Sequence, residues 1–579
     1  MKSKKSDNHL DRTALLDQLW MYQNQYGCIR DQDVEECSQK LGISKIELEG
    51  VISFYHFFHR ERTGHHTIYL NNSIVSETKG FQRVKEAFER ETGQRFGEQD
   101  PSGEFALFET PCIGLSDQEP AALINFYPFT NLNSLKVRRI ITDLRKGVHP
   151  KAICDEVPDH VNYTPPKDKT IFFREYHPGV AVSKLVDITP EQLIEEVKRS
   201  KLGGRGGAFF PTGMKWEFCR KEKENPKYIV CNADEGEPGT FKDRVLMSEM
   251  PGLMLEGMIT AAYAVGAQEG IVYLRAEYTW LLEKINNVIE HFRRMNLLGK
   301  NICGIENFDF DIRVQLGAGA YVCGEETALL NSLEGKRGEP RTKLYFPTQR
   351  GYLNKPTIVN NVETFCAAAR IIELGTDFYL QTGTPDSPGT KLLSISGDCF
   401  KPGIYEIEWG TSVAKVLELC EAEDPFFIQV SGPSGECISM SEKNRKISKD
   451  DLKCGGSFMV FHSDRDIIHI LTNFAEFFKH ESCGICTPCR AGNYIIKRKL
   501  VKLSTGLAYK RDIAEIAEWG KIMKMTSRCG LGKLATNSLL LAIDKFPKYF
   551  KKKLDKKGEG LNKNFDEEKA VMAYEKFRS

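Results

Sequence analysis

Four cysteines near the C-terminus constrain this chain more than any other feature. Cys483, Cys486 and Cys489 follow one another with two residues between neighbours, and Cys529 stands in a separate motif further along the chain. Three thiolates at this spacing surround one face of a cubane, and a distant fourth completes the coordination of an iron–sulfur cluster. Structural zinc sites more often use two separated Cys-x-x-Cys pairs. The pattern therefore predicts a [4Fe–4S] cluster on these four thiolates, with zinc as the alternative.

Length and composition indicate a soluble protein of several domains. The 579 residues, 41% apolar and 27% charged, are typical of globular chains, and a net charge of +1 gives no general reason to expect nucleic acid. We find no signal peptide, and Gln268, Glu269 and glycines interrupt the apolar stretch 258–274, so no membrane span is predicted. We therefore expect a cytoplasmic protein in which most of the 17 cysteines are reduced.

The order of sequence patterns predicts a multidomain α/β protein. Helical periodicity gives way to short strands, then to a longer alternation of strands and helices, then to strands again and finally to helices. Prolines cluster after the first short strands, and lysines dominate the end of the chain. The predicted segments are a helical one at 1–62, a small α/β domain at 63–150, a linker at 151–185, a larger α/β domain at 186–385, a small β-rich domain at 386–463, a helical domain at 464–550 and a polar tail at 551–579.

A glycine-rich run occupies residues 203–207 and follows a predicted helix. A Rossmann dinucleotide-binding turn needs a strand before the glycines, so this context does not match it. Glycine-rich backbone nevertheless allows amides to approach a phosphate or a ring closely. A ligand-binding loop and a plain loop both remain open from this run alone.

A second glycine-rich run, residues 317–324, lies between a predicted strand and a predicted helix. Amides at a helix start bind anions. Glu325 and Glu326 stand where a phosphate would lie, so we expect ligand hydroxyls or amides to meet them, with phosphate held nearby. The alternative is that both acids only complement the helix dipole.

A dense polar run, residues 232–244, directly follows a predicted strand. Polar side chains beside an apolar strand suit a cleft that makes hydrogen bonds to a ribityl chain or a ribose. A solvated loop is the alternative interpretation.

Together these segments resemble one protein family. Its motifs appear here in the family's order: the glycine loop continued through Phe210-Pro-Thr-Gly213, the runs that begin at Asn232 and Gly317, the run Val359-Asn-Asn-Val-Glu-Thr364, and the four cysteines. The family is the flavin-bearing, NADH-oxidising subunit shared by respiratory NADH:quinone oxidoreductase, NAD-linked formate dehydrogenases and soluble NAD-reducing hydrogenases. The similarity spans about residues 186–550. It implies an FMN-binding α/β domain, a small β-grasp-like domain and a C-terminal helical bundle that holds one [4Fe–4S] cluster.

The resemblance also implies which residues bind FMN and NAD(H). It places Phe210 and Phe218 near adenine, and Glu237 and Glu326 near the ribose or nicotinamide. It implies no catalytic side chain, because the flavin carries the chemistry. At the position of a family glycine this chain has Phe209, which we expect to narrow the NADH cleft or to force a local change in the backbone. The alternatives are that its ring stacks on the adenine or packs under the loop. The implied binding residues are Gly204, Arg205, Gly206, Gly207, Phe210, Lys215, Phe218, Asn232, Asp234, Glu235, Glu237, Tyr321, Gly324, Glu325, Glu326, Asn360 and Asn361.

The first 150 residues resemble the family's small partner subunit, a helical segment followed by a thioredoxin-like domain that normally carries a [2Fe–2S] cluster. The four ligand positions align with Asn71, Ser76, Cys112 and Ser116, so a single thiolate remains. We therefore expect a degenerate domain without that cluster. A fused, degenerate partner domain is a feature of the large diaphorase subunit of cytoplasmic NAD-reducing nickel–iron hydrogenases, and in this respect the chain resembles that subunit.

The resemblance thus implies an NADH:acceptor oxidoreductase subunit, of the hydrogen:NAD⁺ type. Hydride would pass between NAD(H) and FMN, and single electrons would continue to the [4Fe–4S] cluster. A small cluster-bearing electron-transfer subunit would carry them on to hydrogenase subunits. The alternatives are the same role in a formate dehydrogenase or a respiratory NADH dehydrogenase, or an inactive scaffold.

Overall fold

Three β-sheets organise the part of the chain that this computed structural model describes, residues 11–98, 103–555 and 572. Helices stand at both ends of that part. The fold class is the predicted multidomain α/β arrangement, whereas the exact segment boundaries stay predictions. Among the described residues, no helix combines the length and the apolar character needed to cross a bilayer.

Three short helices begin the chain, at Leu15–Tyr26, Asp31–Leu41 and Lys45–Ile52. The Ser44 hydroxyl caps the third by accepting from an amide at 3.3 Å. Their buried apolar side chains share one hydrophobic cluster with the sheet of the larger α/β domain, and Trp20 Nε1 donates to the carbonyl of residue 317 at 3.0 Å. The N-terminal helices therefore cover one face of that sheet.

The thioredoxin-like domain has four strands in the order β2-β1-β3-β4. Strands β1 and β2 are parallel, and the other two pairings are antiparallel. Two helices, Phe81–Thr92 and Ser134–Arg145, pack beside each other and share a buried cluster with the sheet. The strands are β1 at His66–Asn71, β2 at Phe105–Thr110, β3 at Ala122–Ile124 and β4 at Tyr127–Phe129.

The predicted linker, 151–185, is ordered and contributes a strand, β5, at Val161–Tyr163. Two buried carboxylates hold the rest of it. Glu406 accepts from the amides of residues 171–173 at 2.6 to 3.0 Å. Glu256 accepts from Tyr176 Oη at 2.6 Å and from the amides of residues 179 and 181 at 2.8 Å. Both acids belong to domains that follow the segment, so it is fixed onto them.

The larger α/β domain has four parallel strands in the order β8-β7-β6-β9. Helices Pro251–Val265 and Val362–Leu374 cover the face opposite to the N-terminal helices. Parallel strands bring their carboxyl ends to one edge, where α/β proteins bind ligands. The strands are β6 at Tyr228–Ala233, β7 at Glu269–Leu274, β8 at Asp311–Leu316 and β9 at Thr357–Asn361.

The β-rich domain is a mixed sheet in the order β13-β12-β14-β10-β11-β5, so the predicted linker supplies its edge. Helix Val413–Leu419 packs into the same hydrophobic cluster as this sheet. The strands are β10 at Thr390–Gly397, β11 at Gly403–Glu408, β12 at Pro425–Val430, β13 at Glu436–Ser439 and β14 at Ser457–His462.

Helices form the C-terminal region, and the predicted polar tail lies mostly outside the described residues. Its helices are Ile467–Glu481, Thr487–Ser504, Lys510–Thr526, Gly530–Leu534, Asn537–Lys545 and Pro547–Lys552. The remaining α-helices are Ile74–Thr78, Pro150–Ile153, Val180–Ser183, Pro190–Arg199, Thr212–Lys221, Lys242–Glu249, Leu282–Arg294, Glu326–Leu333, Pro347–Arg350 and Thr376–Leu380. Short 3-10 helices lie at Arg12–Ala14, Lys184–Asp187, Ala276–Leu281, Ile302–Gly304, Tyr321–Gly324, Tyr352–Asn354 and Met440–Glu442.

Candidate functional site

The predicted binding residues meet at the carboxyl ends of β6–β9, which we call the strand-end edge. Asn232, near the end of β6, donates from Nδ2 to the carbonyl of Gly324 at 2.8 Å. The Asn232 Oδ1 atom accepts from the amide of Asp234 at 3.2 Å. The polar run and the second glycine-rich run therefore form one wall.

Two buried oxygens at the strand-end edge lack a protein partner, namely Asp234 Oδ2 and Asn360 Oδ1. Gly324 lies against the first: a Cβ atom there would be 3.8 Å from Asp234 Oδ2 and 3.3 Å from the Asp234 carbonyl oxygen. Burial raises the pKa of Asp234 to about 8, against the opposing pull of Arg275. Buried polar atoms without protein partners require water or a ligand, so this edge fits a polar molecule such as FMN.

The first glycine-rich run forms a loop closed by a bridge between Gly203 and Pro211 and by the Gly204 amide, which donates to the Phe210 carbonyl at 2.9 Å. Its tip, Gly206 and Gly207, is exposed. A Cβ atom on Gly206 would lie 3.4 Å from Asn361 Cβ. The tip therefore presents bare backbone beside the strand-end edge.

Arg205 in the same loop turns away from the edge. Its guanidinium is buried and donates to Tyr379 Oη and, at 2.8 Å, to the carbonyl of Thr390, while its amide donates to Thr364 Oγ1 at 2.9 Å. The side chain of Arg205 therefore anchors the loop, and only its backbone faces the candidate site.

Phe209 does not project over the cleft. Its ring packs edge-on against Trp409, 6.1 Å between centroids, and against the hydrophobic cluster of the β-rich domain. Its φ of 56° lies in the left-handed region, which favours glycine. Of the alternatives for Phe209, these contacts favour packing under the loop with a local change in the backbone, and the effect on NADH binding stays a prediction.

Lys215 connects two further walls of the site. Its Nζ atom donates to Glu326 Oε2 at 3.1 Å and to the carbonyl of Val359 at 2.7 Å. Asn361 caps the helix after β9 through the amide of Glu363 at 3.1 Å, and its Nδ2 atom donates to Asp243 Oδ2 at 2.6 Å. The strands and the helix of Lys215 are thereby held in one arrangement.

Two predicted binding carboxylates are hydrogen-bonded within the fold, Glu235 through both oxygens and Glu325 through Oε2. Glu235 accepts from the amides of Asp243 and Arg244 at 2.8 and 3.2 Å, and from a tyrosine hydroxyl. Glu325 accepts from the amides of Thr327 and Ala328, both at 3.0 Å, and so caps the following helix. Their ligand roles stay predictions, and their visible role is to fix helix starts.

Glu237 and Tyr321 connect the site to its neighbours. Glu237 accepts from Tyr321 Oη and, at 2.9 Å, from the amide of Ser434 in the β-rich domain. The Tyr321 ring packs against Phe477, 4.9 Å between centroids, and its amide donates to Glu481 Oε2 at 2.9 Å. Helix Ile467–Glu481 leads into the first cysteines, so the strand-end edge and the cysteines share one framework.

Phe210 and Phe218, the residues assigned to adenine, are 48% and 42% exposed. Large aromatic side chains are usually buried, and both stand near the glycine loop in the chain. Their exposed rings suit stacking on a flat ligand.

The four predicted ligands, Cys483, Cys486, Cys489 and Cys529, line one cavity. In the described part of the chain, no three His, Cys, Asp or Glu side chains are close enough for a single metal ion. Four thiols around one shared space suit an iron–sulfur cluster. Burial raises the pKa of Cys489 to about 11, and the positive charge of bound metal would deprotonate it.

The positions aligned with [2Fe–2S] ligands also lie in the described structure. Cys112 Sγ is 3.4 Å from Ser116 Oγ. Asn71 donates to a carboxylate oxygen of Glu119, and the Ser76 hydroxyl is buried. These side chains therefore occupy one buried region of the thioredoxin-like domain.

Sequence reasoning missed Arg275, which directly follows β7 at the strand-end edge. Its guanidinium donates to Glu277 Oε1 at 2.6 Å, to the Cys112 carbonyl at 2.8 Å and to the carbonyl of Glu235. Its place after a parallel strand was the available signal. Arg275 joins the thioredoxin-like domain to the candidate site.

Comparisons with known proteins agree with this arrangement. The family model described as the Nuo51 FMN-binding domain matches residues 197–370, and the NADH-ubiquinone oxidoreductase-F iron-sulfur binding region matches 469–553. The NAD-reducing hydrogenase HoxS subunit alpha of Cupriavidus necator is 47% identical, over 98% of this chain and 96% of its own. The chain belongs to the family of this alpha subunit. The predicted family is thereby confirmed.

More distant relatives extend the comparison. The NADP-reducing hydrogenase subunit HndC of Solidesulfovibrio fructosivorans is 39% identical over 67% of this chain and 81% of its own. A crystal structure of NAD⁺-reducing [NiFe]-hydrogenase in the H₂-reduced state contains a chain that superposes with a TM-score of 0.89, at 34% identity, covering 98% of this chain and 97% of that one. The full-length likeness supports the fold class at both ends of the chain.

One prediction is wrong. We expected no [2Fe–2S] cluster in the N-terminal domain, but residues 1–145 match the family model described as the thioredoxin-like [2Fe-2S] ferredoxin. The expectation rested on four aligned positions, whereas the match covers the whole domain. The comparison therefore points to a [2Fe–2S] cluster there.

Proposed function

We propose that this chain is the diaphorase subunit of an NAD-reducing hydrogenase, in which NAD(H) and FMN exchange hydride at the strand-end edge. The two unpartnered buried oxygens of Asp234 and Asn360 carry the proposal, because a polar ligand is needed to satisfy them. Membership in the HoxS alpha family supports the same activity. The function is thus an NAD-dependent flavoprotein oxidoreductase.

Several residues would hold FMN at this edge. Hydrogen bonds to FMN could come from backbone and from side chains. The backbone is that of Gly206 and Gly207, which have no Cβ atom, and the side chains are those of Asn232, Asp234 and Asn360. Lys215 adds a positive charge beside Glu326. We assign the remaining predicted residues near the glycine runs to the same site.

Bound FMN supplies the conversion between a two-electron hydride and single electrons. The chain's own residues position the partners. Phe210 and Phe218 would stack on the adenine of NAD(H), and Glu237 would orient the nucleotide from its fixed place between Tyr321 and Ser434.

The electron exit lies toward the four cysteines, which we assign to one [4Fe–4S] cluster. Tyr321, in the wall of the site, contacts Phe477, and Val322 lines the cysteine cavity. One short segment therefore borders both the flavin site and the cluster site. This contiguity supports transfer of electrons from one to the other.

We propose that a small cluster-bearing subunit receives these electrons and relays them to hydrogenase subunits. The relatives named above include a subunit of an NAD-reducing hydrogenase and a chain of an NAD⁺-reducing [NiFe]-hydrogenase. We also place the protein in the cytoplasm. None of the cysteines in the described chain forms a disulfide, which suits a reducing compartment.

The test is flavin content and NADH oxidation by the purified protein with an artificial electron acceptor. Asn360→Leu should lower FMN content, because it removes the unpartnered Oδ1 atom at similar volume. Ser396→Ala is the matched control: its buried hydroxyl also lacks a partner but lies on β10 in the other sheet. Wild-type protein without flavin would support the inactive scaffold instead.

A further inference from the structure

A buried cavity lies where three parts of the chain meet. The N-terminal part supplies His56 and Thr110, the larger α/β domain supplies Asp234 and Glu277, and the cysteine-bearing helices supply Phe477. The cavity measures about 20 Å³, which is room for one or two water molecules. Asp234 and Tyr321 also belong to the candidate FMN site, so the cavity adjoins that site. The hydride and electron transfers proposed above give no role to His56, Thr110 or Glu277.

Three side chains of the lining carry a buried polar atom without a protein partner. These atoms are His56 Nε2, Thr110 Oγ1 and Asp234 Oδ2. Thr110 is 1% exposed, so bulk solvent cannot satisfy its hydroxyl. Polar cavities that offer a water molecule two to four partners contain ordered water. We therefore expect ordered water in this cavity, between His56, Thr110 and Asp234.

The charges around Asp234 favour exchange of a proton. Arg275 favours its carboxylate, whereas Glu277 and Glu481 oppose it, and burial adds to the opposition. The pKa of Asp234 is raised to about 8, close to neutral pH, where a group both takes and gives a proton. The Tyr321 hydroxyl is engaged with Glu237 and does not compete.

A histidine pair leads from the cavity to the surface. The rings of His56 and His480 are 6.1 Å apart, and the side chain of His480 is 60% exposed. Burial, with His480 and His59 nearby, lowers the pKa of His56 to about 3, so its ring is neutral. A neutral imidazole has one donor and one acceptor nitrogen and can relay a proton between them.

We propose that this cavity is the proton route of the reaction, running from Asp234 through water and His56 to His480 and solvent. The inference rests on the proposed function: NADH gives up a hydride and becomes NAD⁺, and once the two electrons of that hydride leave toward the cysteines, one proton remains to be carried away. The carboxylate of Asp234 takes the proton and becomes a carboxylic acid, then returns to carboxylate as water and His56 receive it. The electrons leave separately toward the cysteines. Reduction of NAD⁺ draws the proton inward by the same path.

The test compares turnover in water and in deuterium oxide for three variants of the full chain. His56→Phe and His480→Gln each break the histidine pair, and Thr110→Val removes a water partner at constant volume. We expect His56→Phe to slow NADH oxidation about tenfold or more, as loss of a proton-transfer group does, and to enlarge the solvent isotope effect. Flavin content and the rate of flavin reduction in a single rapid mixing should stay unchanged.

Matched controls separate this route from general damage. His177→Gln changes another exposed histidine, and Thr382→Val changes another buried threonine whose hydroxyl lacks a partner. Both should keep the wild-type rate and isotope effect. The infrared difference spectrum between oxidised and reduced protein should also show a carboxylic acid band that moves in deuterium oxide, reporting Asp234.

Two results would overturn the route. The first is that His480→Gln has the same turnover rate and the same solvent isotope effect as the controls, while NADH still reduces its flavin normally. Because His480 is exposed, this variant remains testable even where His56→Phe fails to fold. The second is that NADH fails to reduce the flavin of the wild-type protein. This result would contradict the proposed function and therefore the route as well.

Discussion

Arg244 of the larger α/β domain forms a two-point ion pair with Asp117 of the thioredoxin-like domain. Nη1 lies 3.0 Å from Oδ1 and Nη2 lies 3.1 Å from Oδ2, and the two side chains are 0% and 1% exposed. Arg244 also donates to the carbonyl of Gly114 at 2.7 Å, with Asp159 at 3.3 Å. The buried pair therefore fixes how the two domains meet.

Arg244→Met should destabilise the protein by about 3–5 kcal/mol, because it leaves Asp117 buried without its partner. Thermal unfolding of the variant at neutral pH measures the loss. Arg293→Met is the control, since the Arg293–Asp311 pair has a similar 3.0 Å distance but side chains 36% and 52% exposed. The exposed pair should contribute no more than about 1 kcal/mol. Equal effects of the two changes would contradict a special role for the buried pair.

Cys486→Ser should abolish the [4Fe–4S] signal and leave FMN largely bound. The cysteine cavity and the strand-end edge are lined by different residues, so loss of one cluster ligand should not empty the flavin site. Iron and flavin assays on purified protein measure both. Cys154→Ser, at another half-buried thiol, should change neither. Joint loss of iron and flavin in Cys486→Ser would show that the two sites form as one unit.

Phe209→Gly should change the Michaelis constant for NADH by less than about twofold, because the ring packs on Trp409 rather than in the cleft. It removes left-handed strain of about 1–2 kcal/mol but also removes an aromatic contact of about 0.5–1.5 kcal/mol beyond its buried area. Phe210→Ala is the comparison, and steady-state kinetics should show a raised Michaelis constant there. A large decrease in the Michaelis constant for NADH in Phe209→Gly would instead support the interpretation that Phe209 crowds the cleft.

His66→Phe should reduce the loss of stability that acid causes. Burial lowers the pKa of His66 to about 4, from an ordinary value of 6.5. Between these values the unfolded chain binds the proton and the folded chain does not, so stability falls as pH falls, by about 2 kcal/mol from pH 6.5 to 5. Thermal midpoints at these two pH values should differ less in His66→Phe than in wild type. His65→Phe, at the exposed neighbour, should keep the wild-type difference.

Local signals in the sequence predicted the elements well. Thr189 and Gln192, three residues apart and followed by a helical pattern, cap helix Pro190–Arg199 with reciprocal bonds of 2.8 and 3.3 Å. The polar residues after β6 and β9 lie together because parallel strands end at one edge. The cysteine spacing likewise predicted thiols that share a cavity. These features depend on neighbours in the chain or on one repeating geometry.

Long-range contacts could not be predicted in the same way. Arg205 and Glu235 are predicted ligand-binding residues, and the sequence did not show that they also bind Thr390 and the amide of Arg244. Arg275 depends on a carbonyl 163 residues away. The error about the N-terminal cluster came from weighing four positions instead of the whole domain. A partner distant in sequence leaves no local pattern by which to find it.

Glu406 and Glu256 fix the segment 151–185 in place, so it is a rigid connection and not a flexible hinge. Each carboxylate accepts hydrogen bonds from several backbone amides of the segment. Detaching the segment would therefore leave two buried carboxylates and their amide donors without hydrogen-bond partners. The thioredoxin-like domain cannot swing like the carrier arms of some multidomain enzymes. An electron that passes through this domain must therefore cross a fixed distance between it and the larger α/β domain.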